Sequence, residues 1–415
     1  MKILNSPTIN FFFKNKQSFF FIAVNVFVAL LGFIRSFAFM KFFDFTELGL
    51  ITLVNTSVML VGFFQLGLIN GAYRIIALQE SESNIRVNNV MFSYFTLLFF
   101  ALVAISSIGF MLSFFNDFLL IVLVITIGIL SLVTNWITNN LIGSREYRKL
   151  NIANFLSAFA SLFCLVFAYF YGVWGAIISL LIQPLLFIII IFLTNKIVIP
   201  IKFELELKYL RYILNFGFVP FLSGIFVLIY VQIERWSINF FLGSESLGKM
   251  YLVFLIIVLW ILIPISINNL FFPKAVLLFK NKELFLLHKL INKYFLIILL
   301  YSLIGIILIL TLLHPLVSIF FPNHLPYVYL VFIALPGLIL RSLCDPVSLY
   351  LNSIVKLKII FWSDLLSITA YLISILGFAL LKKFNLENVL ICFVLYNLVK
   401  FIYLIYFYNA LKKSL

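Results

Sequence analysis

Charge is what this sequence has least of. Only 10% of its 415 residues are Asp, Glu, Lys or Arg, and 14 of them are acidic. A soluble domain carries about 25% charged residues, so a water-facing surface of ordinary extent is excluded. Cysteine is almost missing as well, and Cys164, Cys344 and Cys392 all fall inside apolar runs. An odd number without ligand spacing excludes a disulfide framework or a cysteine metal centre, which leaves three small core residues. His288, His314 and His324 lie in gaps between apolar runs, where water is expected to solvate them. Long polar segments are lacking too. The widest gaps, around 194–213 and 273–293, are read as cytoplasmic loops too short for an extramembrane domain, so any chemistry falls to residues inside the membrane.

What is present is apolar: 65% hydrophobic residues, 18% aromatic, 52 of them Phe, with a mean hydropathy of +1.21. A bilayer core takes roughly 20 apolar residues per helix. The chain supplies runs near 18–40, 48–71, 90–115, 118–142, 152–171, 173–194, 214–242, 249–272, 294–313, 327–352, 359–381 and 389–410. The expected fold is therefore an all-α integral membrane protein of about 12 transmembrane helices. MKILNSPTINFFFKNKQ has the basic start of a signal peptide, but the run from Ser18 to Met40 is too long for an h-region. No small-residue cleavage pattern follows it, so it is expected to remain as the first span.

A formal net charge of +15 raises the question of nucleic acid. The basic residues form no stripe, however, and occupy short gaps between spans. With the N-terminus inside, 21 of the 29 Lys and Arg fall in cytoplasmic segments, and Lys41, Lys249, Lys382 and Lys383 fall outside. The positive-inside rule then places both termini in the cytoplasm. A miscounted span would invert the bias downstream.

An internal repeat emerges at an offset of about 200 residues. RSFAFMKFFDFTELGLITLV from Arg35 aligns with RWSINFFLGSESLGKMYLV from Arg235, pairing Arg35 with Arg235 and, across one gap, Gly49 with Gly248. Parallel halves of six helices follow, related by an axis along the membrane normal. The expected lobes are residues 1–205 and 206–415 around a central cavity that Arg35 and Arg235 face.

The motifs in these halves have a family likeness. FDFTELGLITLVNTSVMLVGFFQLGLINGAYR (43–74), the basic turn LIGSREYRKL (141–150) and FVPFLSGIFVLIYVQIERWSINFFLGSESLGKMYLV resemble the polysaccharide biosynthesis proteins. These are the O-antigen flippase branch of the multidrug/oligosaccharidyl-lipid/polysaccharide exporter superfamily, which also contains the lipid II flippase and the multidrug antiporters. Glu234 stands where Asp is common in that family's acidic-Arg pair. The resemblance covers essentially the whole chain and implies transport, with no enzyme activity and no cofactor.

Embedded charge locates the candidate site. A charge near a span's centre costs on the order of 2.5–3.5 kcal/mol on insertion scales. Glu234 and Arg235 are neighbours, about 100° apart on a helix, and cannot simply cancel each other. Arg341 and Asp345, four apart, share one face of span ten. Asp364 lies one turn from the inner surface, and Lys400, mid-span, calls for an acidic partner on another helix. Pro184, Pro220, Pro264, Pro336 and Pro346 interrupt their spans.

Arg35, Arg235 and Arg341 are the candidate substrate contacts, because the guanidinium fork matches phosphate oxygens. Glu234, Asp345, Asp364 and Lys400 are candidate coupling or cavity-lining groups. The cargo that fits is an undecaprenyl-diphosphate-linked oligosaccharide, moved across the bacterial inner membrane by alternating access. H+ or Na+ is the candidate coupling ion, with membrane lipids and other glycan-assembly membrane proteins as partners. A multidrug antiporter of the same superfamily is the rival reading. A polysaccharide polymerase or ligase is the enzyme alternative, and the short outer loops speak against it.

Overall fold

The computed structural model describes residues 16–77, 81–111, 117–144, 146–194 and 202–414. The basic residues Lys2, Lys14, Arg145 and Lys196 lie outside them. Among the described residues nearly everything is helix, as a bilayer requires when only helices or closed barrels satisfy every backbone amide. Ten helices among the described residues are long and apolar enough to cross a membrane, and each coincides with one expected span. The two expected spans not among them are the first, Lys16–Phe42 (α1), and the fifth. Tyr147–Phe163 (α6) has 17 residues and is interrupted at Cys164 before the chain continues as Leu165–Thr194 (α7).

Two glycines set the expected boundaries between spans. Gly172 (φ 59°, ψ −140°) breaks α7, and Gly243 (φ 83°, ψ 169°) breaks Leu207–Lys249 (α8). Both adopt positive φ, which costs a residue without a Cβ little. Large apolar side chains such as Leu193, Phe240 and Leu380 point outward, as expected where the solvent is lipid.

Two readings of the gaps need correction. Residues 273–293 are not a loop: Tyr251–Lys280 (α9) and Leu284–Leu308 (α10) leave three residues between them, and the chain after α10 stays helical to Phe320. A helical run of 37 residues at 1.5 Å per residue is longer than a hydrocarbon core of about 30 Å. Its first turns carry Lys289 and Lys293, both exposed. The histidines also differ from expectation. His314 is exposed, but His288 is half-buried beside Tyr350, and His324 is buried, edge-on to Phe45 at 5.0 Å.

Contacts divide the chain into two compact units, residues 1–43 with 53–225, and residues 44–52 with 226–415. In the first, the connector is fastened to Ser81–Met111 (α4). Lys202 N donates to Asn89 Oδ1 at 3.3 Å, Glu204 N to Ser93 Oγ at 2.7 Å and Arg86 Nε to Glu206 Oε2 at 3.0 Å.

In the second unit, Phe45–Val61 (α2) opens with a reciprocal capping box. Glu47 N donates to Asp44 Oδ1 at 2.8 Å, and Asp44 N donates to Glu47 Oε2 at 3.1 Å. Its Gly49 then meets the repeat partner's turn. A side-chain carbon on Gly49 would fall 1.9 Å from Ser244 O, and one on Gly248 would fall 1.7 Å from Phe45 O. Equivalent positions that touch each other reciprocally have the geometry of a two-fold contact, in accord with the repeat. We expect Gly248→Ala to force these backbones apart and cost about 1–3 kcal/mol, as overpacking does. Thermal unfolding in detergent tests this, and a variant melting with the wild type would show that the contact is loose.

Pro264 is accommodated by side-chain donors. Pro264 inside α9 supplies no amide for the Trp260 carbonyl, and Tyr301 hydroxyl donates to that oxygen at 2.9 Å. Tyr294 hydroxyl donates to the Pro264 carbonyl itself at 3.0 Å. Pro336 and Pro346 lie within Val328–Ser353 (α12), which stays helical throughout.

Candidate functional site

Seven embedded charges were singled out from sequence, and six of them lie in the second unit. On α8, Glu234 is buried and accepts a hydrogen bond from Tyr230 hydroxyl at 2.8 Å. Tyr230 sits one turn earlier on the same face, where its ring stacks on Tyr396 at 4.4 Å and meets Tyr371 edge-on at 5.0 Å. Arg235 turns elsewhere, its guanidinium 5.0 Å above the Phe254 ring. The adjacent charges thus make different direct contacts, Glu234 with a hydroxyl and Arg235 with a ring, while remaining within electrostatic reach of each other.

Helices α12, Leu357–Leu380 (α13) and Leu386–Ser414 (α14) hold the remaining four. Asp364 of α13 is buried although it lies one turn from the expected inner surface. Its Oδ1 is 2.6 Å from Lys400 Nζ on α14, with side-chain exposures of 3% and 17%. This is the partner on another helix that a mid-span ammonium calls for. Arg341 and Asp345 of α12 are half-buried, and among the described residues no ion pair joins them to each other or to another side chain. Arg341 is within electrostatic reach of both Glu234 and Asp345. The second unit therefore gathers three cations and three carboxylates, with one pair fully closed.

Arg35 belongs to the first unit. It lines a cavity of about 260 Å3 with Ser131, Thr134, Asn135, Asn154, Ser157 and Gln183. Its Nη1 donates to Gln183 Oε1 at 3.3 Å. Phe118–Gly143 (α5) contributes Ser131, Thr134 and Asn135 at spacings i, i+3 and i+4, and α6 contributes Asn154 and Ser157 at i and i+3. That spacing puts each set on one helix face.

These neutral residues, and the tyrosines around Glu234, were missed because the search from sequence followed formal charge. Hydroxyls and amides recurring with helical period inside an apolar run were the available signal. Among the described residues no group of His, Cys, Asp and Glu has the arrangement of a metal site.

No family model and no curated protein sequence matches the chain. Solved structures do. A lipid II flippase, MurJ, in an inward closed conformation superposes with a TM-score of 0.72 at 16% identity, over 94% of this chain and 87% of that one. An inward-facing multidrug resistance MATE family transporter of the MOP superfamily gives 0.69 at 14% identity, covering 92% and 95%. A MOP superfamily transporter from Pyrococcus furiosus, described as having a binding pocket of reverse polarity, gives 0.62 at 16%, covering 95% and 93%. At such identities the likeness speaks for the fold alone. With ten apolar helices of spanning length among its described residues, the chain is a multi-pass membrane protein that shares the two-lobed helical fold of this flippase and these transporters.

Proposed function

We propose that the protein is a flippase carrying a polyprenyl-diphosphate-linked oligosaccharide, an O-antigen or related surface-glycan repeat unit. Transport runs from the cytoplasmic to the outer leaflet of the bacterial inner membrane. The observation that carries this reading is the balance of embedded charge. Arg35, Arg235 and Arg341 are held inside helices, where Arg35 bonds to Gln183 and Arg235 lies over the Phe254 ring, and two of the three embedded carboxylates are engaged, Asp364 by Lys400 and Glu234 by Tyr230. A diphosphate needs guanidinium forks, while a cationic drug needs carboxylates. The lobes 1–205 and 206–415 expose the cargo to each side in turn, both termini stay cytoplasmic, and the polyprenyl tail remains in lipid. Net direction requires different affinities in the two states. H+ or Na+ acting through Glu234 or Asp345 supplies that difference, and no covalent chemistry is involved. Membrane partners of glycan assembly deliver and collect the cargo.

One observation favours the second reading, a multidrug cation antiporter. Asp345 is half-buried and takes no ion pair among the described residues, so a carboxylate remains for a cation. The fold is common to both classes. Reconstitution into liposomes separates them. The flippase reading expects a fluorescent polyprenyl-diphosphate sugar to reach the opposite leaflet and a lipophilic cation dye to be ignored. The reverse result overturns it, and rates indifferent to imposed H+ and Na+ gradients would reject ion coupling.

A further inference from the structure

Helix α4 measures the depth of the connector. At 1.5 Å per residue, Ser93 lies about 27 Å from Met111, the outer end of α4 in the positive-inside reading, and so near the inner edge of a hydrocarbon core of about 30 Å. Asn89 and Arg86 follow one and two turns further on. They stand at headgroup depth, because headgroups extend the bilayer to about 40–45 Å. The connector is held to these three side chains by the amides of Lys202 and Glu204 and by the Glu206 carboxylate, so it lies at the same level. Amides two residues apart that reach acceptors one helical turn apart have the spacing of an extended segment, about 6.6 Å against about 6 Å.

In such a segment alternate side chains share a face. The even positions supply the ties to α4. The odd positions Phe203, Leu205 and Leu207 are apolar and exposed at 58%, 38% and 70%. Exposed apolar side chains are ordinary within a span, where lipid covers them, but these three lie outside the ten candidate spans. The outward stripe continues on the first turns of α8. Leu207, Lys208, Arg211 and Tyr212, spaced i, i+1, i+4 and i+5, are exposed, while Ile213 is buried in the core of the first unit.

Cations border this apolar face. Lys202, Lys208 and Arg211 are exposed, and among the described residues no ion pair engages them. Against them the segment sets Glu204 alone, because Glu206 is taken by Arg86. An apolar centre with basic margins has the composition of an interfacial membrane anchor. Acidic headgroups complement the cations, the acyl boundary covers the apolar side chains, and the long basic stems reach from one layer to the other.

We propose that the connector and the first turns of α8 form an interfacial site for acidic phospholipids of the cytoplasmic leaflet. Phe203, Leu205 and Leu207 meet the acyl boundary, and Lys202, Lys208 and Arg211 meet the headgroups. The site fastens the first unit to the membrane surface whichever cargo the protein carries, and its assignment to the cytoplasmic leaflet rests on the positive-inside reading.

Two measurements on the full-length protein test it. The first uses one copy per nanodisc of equal phosphatidylglycerol and phosphatidylcholine. Nitroxide labels on Phe203→Cys and Leu207→Cys are expected to be relaxed more by oxygen, which concentrates in lipid, than by a water-soluble nickel chelate. Cys164, Cys344 and Cys392 are buried, and the wild type carried through labelling gives the background. Labels that favour the nickel chelate place the face in water and overturn the proposal. Labels shielded from both reagents mean that protein covers the face, which overturns the lipid assignment as well.

The second measurement is a melting titration in detergent, where a lipid that binds the folded state raises the melting temperature. Phosphatidylglycerol is expected to half-saturate at a lower concentration than phosphatidylcholine. Lys208→Gln raises the half-saturating phosphatidylglycerol concentration about fivefold, the factor that one cation near a charged surface contributes. The triple variant Lys202→Gln, Lys208→Gln, Arg211→Gln raises it at least about tenfold. Equal half-saturation by the two lipids in the wild type, or no change in the triple variant, overturns the site. Should the triple variant not fold, Lys208→Gln decides alone. Neither measurement involves cargo, so this site and the flippase reading can each fail without the other.

Discussion

Replacing Lys400 by Met lowers the stability of the protein by about 3–5 kcal/mol, the usual cost of removing one partner from a buried ion pair. Lys400 Nζ is 2.6 Å from Asp364 Oδ1, and the carboxylate side chain is 3% exposed. Without the ammonium the carboxylate must stay charged in an apolar interior or take up a proton. Asp364→Asn strands the ammonium in the same way. The double variant Lys400→Met with Asp364→Leu recovers most of the loss, because apolar replacements of similar volume leave no uncompensated charge. A double-mutant cycle from unfolding in mixed micelles measures the coupling. Single variants within about 1 kcal/mol of the wild type would mean that water or another group screens the pair.

The second large effect is on transport. Arg235→Ala is expected to lower diphosphate translocation by about 10-fold to 100-fold, equivalent to losing charge-assisted hydrogen bonds of roughly 1.5–3 kcal/mol. Arg235→Lys keeps the charge but loses the planar fork, so an intermediate rate separates charge from geometry. Phe254→Leu supplies the control. It removes the ring 5.0 Å beneath the guanidinium, a contact contributing about 0.5–2 kcal/mol, and leaves Arg235 in place. If Arg235→Ala and Phe254→Leu lower stability alike and neither changes the transport rate per folded molecule, Arg235 only packs against Phe254. Its assignment to substrate then falls.

Much of the architecture was legible because membrane insertion acts locally. A run such as 118–142 reads as a span from its own residues, and the helix Phe118–Gly143 follows it closely. Gly172 and Gly243 stand where spans were expected to separate, for the same local reason. Less of the site was legible. Asp364 looked near-surface by its distance from a span end, yet packing of α13 against its neighbours buries it. Arg341 and Asp345 share a helix face as their spacing requires, but among the described residues no ion pair joins them, so a shared face alone did not decide the contact.

By itself the sequence determined the class of environment, the position of most spans, the repeat that pairs Gly49 with Gly248, and the short list of charges inside the membrane. Hydropathy and helical period belong to single segments, which is why they could be read without a fold. Only the tertiary structure decided that Lys400 closes on Asp364, that Tyr230 rather than Arg235 bonds to Glu234, and that Arg35 faces amides and hydroxyls from three other helices. Those partners are set by how helices distant in the chain rotate against one another, and no single segment contains that information.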